Sequence, residues 1–112
     1  SLDEFNNKQS QKQIEKDKLK KIKNHKLPQN FKNLIATIYI LMVNLLSNKS
    51  HNKSSQTPFE KSKKLKEKYP ELKEEIDTIT NLYVKLIYSK KFNAKNVSQL
   101  IKRTWKKLKN RF

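Results

Sequence analysis

The chain has 112 residues, neither cysteine nor glycine, and a formal net charge of +17 at pH 7. Its length suits one domain, and the missing cysteine excludes disulfide scaffolds, thiolate chemistry and zinc–thiolate sites. The missing glycine excludes a glycine-rich phosphate loop and disfavours strands joined by tight turns. Abundant Lys, Leu, Glu and Gln favour helices, so the composition predicts an all-α fold.

The first 29 residues form a polybasic segment, which we predict to be a linker or a solvated helix. Eight lysines and four acidic residues give it a net charge of +4. Its apolar residues are too sparse to form a continuous stripe, although its helix propensity is good. Pro28 ends any helix here, because the residue before a proline avoids the α conformation. We therefore expect the packed helical domain over residues 30–112.

The first helix of this domain is predicted over residues 31–48, with Asn30 as its N-cap. Apolar residues recur at the i, i+3, i+4 and i+7 spacing of a buried face, and others, including Ile40, widen that stripe. The apolar run at 34–46 is only 13 residues long, whereas a membrane-spanning helix needs about 20 apolar residues. We therefore expect a central core helix and not a membrane span.

Two proline-containing motifs predict the next two helices. The tetrapeptide Thr-Pro-Phe-Glu at 57–60 combines a capping threonine, a first-turn proline and the acid of a capping box. It opens a short helix over 58–68, in which Phe59 and Leu65 are expected to be buried. The second motif has its proline at position 70 and opens a helix over 70–89, whose apolar face extends to Ile87.

The fourth helix is predicted over residues 96–110, after a turn at 92–96 and with Asn93 or Asn96 as its N-cap. Its apolar residues share one face: Val97, Leu100, Ile101, Trp105 and Leu108. Nine basic residues and no acidic residue occupy positions 90–112. The four predicted helices indicate a small four-helix bundle-like domain.

The order of these motifs resembles a domain of unknown function. That domain is found at the C-terminal, cytoplasmic end of bacterial membrane-bound transglutaminase-like proteins and in other membrane proteins. The resemblance covers about residues 34–109. It rests on the following features, in chain order: an apolar helix, Thr-Pro-Phe-Glu at 57–60, Tyr-Pro-Glu-Leu at 69–72, Ile-Thr-Asn-Leu-Tyr at 79–83, Tyr88, a polar turn and a basic last helix. One position departs from the family pattern, since Ser89 follows Tyr88 where such proteins often have glycine.

The resemblance implies a position in a larger protein and not a catalytic activity. In such proteins the Cys-His-Asp catalytic residues belong to a domain outside the membrane. The resemblance therefore implies a non-catalytic interaction or regulatory module on the cytoplasmic side of the cell membrane, part of a larger membrane protein. Residues 1–29 would be a juxtamembrane-type linker, whose lysines fit the positive-inside rule and attract anionic lipid headgroups.

Few residues suggest catalysis or metal binding. His25 and His51 lie in polar stretches without a carboxylate at ligand spacing, so solvated surface positions are favoured. Glu74 and Asp77 are one helical turn apart, but acid–base work requires a pocket and shifted pKa values, and two surface acids explain the pair as well. We therefore predict no catalytic, cofactor or metal site, and no enzyme.

The aromatic residues are expected mainly in the core. Tyr39, Tyr83 and Trp105 fall on predicted apolar faces, which favours packing over ligand binding. Tyr88 is compatible with either a packed or an exposed position.

Nine basic residues are the candidates for contact with an anionic surface: Lys18, Lys20, Lys21, Lys23, Lys102, Arg103, Lys106, Lys107 and Lys109. The partner could be anionic lipid headgroups or an unknown protein. The alternative function is that of a small basic nucleic-acid-binding protein, since the acid-free tail also attracts phosphates. It is less favoured, because no helix-turn-helix spacing and no group of base-reading side chains is visible. A solvated lysine-rich helix also explains the tail.

Overall fold

The structure, a computed structural model, describes residues 2–47, 56–89 and 93–112. Over these ranges the chain forms five α-helices and no strand, which confirms the predicted all-α, bundle-like fold. The helices are α1 (Leu2–Lys23), α2 (Phe31–Leu46), α3 (Pro58–Lys68), α4 (Lys73–Tyr88) and α5 (Ala94–Lys109), with a 3-10 turn at Pro70–Leu72.

The core is built around α2, in which eight of sixteen residues are buried. Helices α4 and α5 pack against α2 and against each other, and α3 packs against α4. The fully buried large side chains come from α2, α4 and α5: Leu34, Ile35, Ile38, Met42, Leu46, Ile76, Ile79, Ile101, Trp105 and Leu108. Burying one such side chain contributes about 1.5–3 kcal/mol relative to leaving it exposed, so their apolar faces hold the domain together.

Side-chain caps begin α2 and α3 as predicted. The Asn30 Oδ1 accepts hydrogen bonds from the backbone N–H groups of Lys32 at 3.0 Å and Asn33 at 3.2 Å. The Thr57 Oγ1 accepts a hydrogen bond from the backbone N–H of Glu60 at 3.2 Å. These bonds satisfy donors that have no partner within the helix itself.

Substitution of Thr57 by alanine removes the cap of α3. We expect the Thr57→Ala variant to lose about 0.5–2 kcal/mol of unfolding free energy. Denaturant unfolding followed by circular dichroism measures this loss. A midpoint equal to that of the unchanged protein would mean that the cap does not stabilise α3.

Five of the predicted helix boundaries differ from those of the structure: the end of α2, both ends of α4 and both ends of α5. Helices α4 and α5 end at Tyr88 and Lys109, each one residue earlier than predicted. Helix α2 ends at Leu46 and not at 48, since the backbone of Ser47 is extended and its hydroxyl donates to the Val43 carbonyl; position 48 itself lies outside the described residues. Helix α4 begins at Lys73 and not at 70. The three residues before it form a tighter 3-10 turn, with φ −106° and ψ 15° at Leu72.

Helix α5 begins at Ala94, two residues earlier than predicted, and the expected turn at 92–96 is therefore helical from residue 94. Of the two candidate caps, Asn93 is the one used. Its Oδ1 accepts a hydrogen bond from the backbone N–H of Asn96 at 3.5 Å. Residues 48–55 and residue 92 lie outside the described residues.

Four apolar residues that we expected on buried faces are exposed. Phe59 is 57% exposed, because it lies about 120° around α3 from the buried Leu65. Ile40 is 53% exposed and lies about 160° around α2 from Met42. Ile87 is 51% exposed in the last turn of α4, and Leu100 is 38% exposed and lies about 100° around α5 from the buried Ile101.

Helix α1 shows that the first residues form a solvated helix. Residues 11–22 of α1 line a hollow together with residues 44–47, at the C-terminal end of α2. Residues 21–25 line a second hollow together with residues 37–44, nearer the middle of α2, so the two helices run antiparallel. Most side chains of α1 are exposed, and Ile22 is the α1 residue that packs against the core. Among the helices described, none is both long enough and apolar enough to cross a membrane. The domain boundary at residue 30 stays a prediction.

Candidate anion-binding surface

Helix α5 is divided into a buried side and a basic side. Ile101, Trp105 and Leu108 are at most 1% exposed and fix the helix on the core. The opposite side exposes four of the nine predicted contact residues: Lys102, Arg103, Lys106 and Lys107. Because residues 94–109 include no acid, these charges are not neutralised from within α5.

The predicted contact residues of α1 lie near its C-terminal end. Lys20 and Lys21 are exposed, whereas Lys23 is half-buried. Lys18 is exposed but already interacts with another group of the chain. Asp17 reduces the local positive charge, since it shares a hollow with Lys20 and Lys21 and accepts a hydrogen bond from Gln13 at 3.0 Å.

One hydrogen bond joins the two basic segments. The half-buried Lys109 Nζ donates to the Lys23 carbonyl oxygen at 3.3 Å, across 86 residues of sequence. The C-terminal ends of α1 and α5 therefore lie close together, which places their basic residues on neighbouring helix ends. We call this the α1–α5 lysine surface: Lys20, Lys21, Lys23, Lys102, Arg103, Lys106, Lys107 and Lys109.

Part of this positive charge has a structural role. The last carbonyl groups of a helix lack backbone partners and carry partial negative charge, so a nearby ammonium group stabilises them. Lys109 does this for α1, and Lys68 does it for α2, because its Nζ donates to the Leu46 carbonyl oxygen at 3.5 Å. The exposed lysines of the α1–α5 lysine surface show no such contact with a helix end and are the better candidates for a partner.

Lys16 is a basic residue that our site prediction missed. Together with Leu19, Lys20, Lys23 and Asn24 it lines a shallow hollow of about 200 Å³ at the end of α1. The signal was present in the sequence, because residues four apart lie on the same face of a helix.

The structure does not bring the candidate catalytic residues together. His25 is exposed, and its Nδ1 shares a hydrogen bond of 2.9 Å with the Lys26 carbonyl oxygen. Asp77 pairs with Lys66 at 2.8 Å, while Glu74 is exposed. His51 lies outside the described residues. Within the part of the chain described here, no group of three or more His, Cys, Asp or Glu side chains could hold a metal ion.

Two tyrosines stack on each other in the core, one buried and one partly buried. The rings of Tyr39 and Tyr83 stack with centroids 3.9 Å apart and planes 4° apart. The buried Tyr39 hydroxyl has no hydrogen-bond partner among the residues that the structure describes. Burial of this hydroxyl, and secondarily the nearby Tyr83, raises the pKa of Tyr39 to about 12. This confirms the predicted core packing, in which Trp105 is also buried, whereas Tyr88 is 81% exposed.

The described residues of α1 and α5 thus offer a basic surface. Comparisons of the chain with models of protein families, with curated proteins and with solved structures gave no match. The resemblance to the cytoplasmic domain of membrane-bound transglutaminase-like proteins therefore stays a prediction.

Proposed function

We propose that the chain is a non-catalytic cytoplasmic interaction module of a membrane-anchored bacterial protein, and that its α1–α5 lysine surface binds anionic lipid headgroups. The observation that carries this proposal is the hydrogen bond from Lys109 to the Lys23 carbonyl oxygen. It joins two basic segments that are far apart in the sequence. The joined surface presents more charge to a flat anionic layer than either helix does alone.

The charge type favours headgroups over nucleic acid. Apart from Arg103, every residue of the surface is lysine, a flexible point charge that lacks the rigid planar fork of the arginine guanidinium group. Binding of single strands also uses exposed aromatic rings as stacking platforms, but the aromatic residue of α5, Trp105, is buried. The attraction of lysines to an anionic leaflet requires neither arginine side chains nor exposed aromatic rings.

The expected strength fits a module that is tethered to the membrane. Each lysine near an anionic leaflet contributes about 1 kcal/mol, and salt screens this attraction over about 8 Å at physiological ionic strength. Five or six such residues therefore give a contact that forms and dissociates readily. A membrane anchor elsewhere in the protein raises the effective concentration of the module at the leaflet, which makes a weak contact sufficient.

Vesicle binding tests this proposal. We expect the full chain to sediment with vesicles that contain phosphatidylserine and not with vesicles of neutral phosphatidylcholine. Changing Lys102, Lys106 and Lys107 to glutamine should weaken binding about 100-fold. The matched control carries the same three changes in α3, at Lys61, Lys63 and Lys64, and should retain most of the affinity.

Two outcomes would contradict the proposal. Equal losses in the α5 and α3 variants would show that total charge, and not the α1–α5 lysine surface, causes the binding. Selective binding of duplex DNA that persists at physiological salt, with no binding to anionic vesicles, would support the alternative of a nucleic-acid-binding protein, since simple lysine–phosphate attraction falls steeply with salt.

A further inference from the structure

The shallow hollow at the end of α1 has the features of an anion subsite. Its lining consists of Lys16, Leu19, Lys20, Lys23 and Asn24, all from α1 or the residue that follows it. No acidic residue is among them. The three lysines lie at positions i, i+4 and i+7, the spacing that places side chains on one face of a helix. The side chains of three lysines and one asparagine therefore line the same hollow.

These groups match the chemistry of a phosphate monoester. Each ammonium group carries three hydrogen-bond donors and the amide carries two. A phosphate monoester carries nearly two negative charges at neutral pH and three terminal acceptor oxygens, whereas a carboxylate carries one charge and two oxygens. The hollow of about 200 Å³ leaves room for a phosphate group and some of its water, since one water occupies about 30 Å³.

A helix C-terminus normally repels anions, because its unpaired carbonyl groups carry partial negative charge. Here the Lys109 ammonium donates to the carbonyl oxygen of Lys23, a lining residue, at 3.3 Å. This contact offsets the negative end of the helix and adds a fourth positive charge next to the hollow. Because Lys23 and Lys109 are both half-buried, they lose less side-chain freedom on binding than fully exposed lysines do.

We propose that this hollow binds a phosphate monoester group, carried either by a lipid headgroup or by a small soluble phosphate. The lipid source rests on the proposed function and makes it more specific: the α1–α5 lysine surface would provide general attraction to the leaflet, and the hollow would select phosphate monoester headgroups. The soluble source does not require the leaflet contact.

Titration of the full chain with inorganic phosphate, followed by ¹H–¹⁵N NMR, tests the site directly. We expect saturable shifts centred on residues 16–24 that chloride at equal ionic strength does not produce. The K16Q/K20Q variant should bind phosphate about 30-fold more weakly. The control K8Q/K12Q makes the same charge change at the same spacing on α1, and its affinity should fall no more than about threefold, because distant charges are screened.

Vesicles identify the source of the phosphate. If it is a lipid headgroup, the chain prefers phosphatidic acid over phosphatidylserine at equal surface charge, and K16Q/K20Q loses this preference while K8Q/K12Q keeps it. If it is soluble, inorganic phosphate saturates the hollow without any such preference. Phosphate shifts that do not saturate, or that weaken equally in both variants, overturn the inference. The proposed function is tested separately, by the comparison of the α5 and α3 variants on phosphatidylserine vesicles.

Discussion

Replacing Ile38 by aspartate is expected to abolish the cooperative unfolding transition of the domain. Ile38 is 0% exposed and lies near the middle of α2, the helix that α4 and α5 both contact. An ionised carboxylate without a partner costs several kcal/mol in such a place. Small domains have a total stability of only about 5–15 kcal/mol. Circular dichroism during heating measures the transition.

The same helix provides the matched control. Ile40 lies two residues away and is 53% exposed, so its carboxylate would remain in water. The Ile40→Asp variant should therefore unfold cooperatively, with a midpoint close to that of the unchanged protein. An Ile38→Asp variant that melts like Ile40→Asp would show that α2 is not the centre of the core.

The second large effect is a loss of stability in alkali caused by Tyr39. The pKa of this side chain is about 12 in the folded chain, because burial disfavours the phenolate, whereas an unperturbed tyrosine has a pKa of about 10. The folded state therefore binds its proton more tightly than the unfolded state. The resulting stability is fully present below pH 10 and is lost as the pH rises through 12, a loss of about 2–3 kcal/mol.

Denaturant unfolding at pH 8 and pH 12 measures this effect. Lysines also titrate in this range, so the relevant quantity is the difference between the unchanged protein and Tyr39→Phe, which has no phenol at this position. At pH 8 the variant should be at least as stable, since it removes a buried hydroxyl that lacks a partner. The control Tyr88→Phe changes an 81% exposed ring and should leave the alkaline loss intact. An identical loss in all three proteins would contradict the assignment to Tyr39.

Local signals in the sequence predicted most of the fold. The cap residues Asn30 and Thr57 are short-range features, and the structure confirms both. The spacing of apolar residues identified α2 as the central helix. It could not show which edge of the apolar face of α2 is left uncovered by other helices, and the prediction that Ile40 is buried was therefore wrong. Phe59 was misassigned for a related reason, since α3 has too few apolar residues to define its buried face, and Ser62 is buried there.

The candidate surface depends on contacts that a linear pattern cannot reveal. Counts of lysine identified both basic segments, yet the bond between Lys109 and Lys23 follows from the packing of α5 against the core and from the path of the chain after α1. Counts also could not distinguish Lys68, which stabilises the end of α2, from lysines that face solvent. The role of Lys16 was recoverable, since its spacing from Lys20 places both on one face of α1.

We propose that this domain belongs to a membrane-anchored protein, and fractionated cells of the source organism test that proposal most directly. An antibody raised against residues 30–112 would be used to blot the cytosol and the membranes after a high-salt wash, which releases proteins held only by lysine attraction. We predict a band much larger than the 13.4 kDa of this chain in the washed membranes. A band near 13.4 kDa in the cytosol alone would contradict the account.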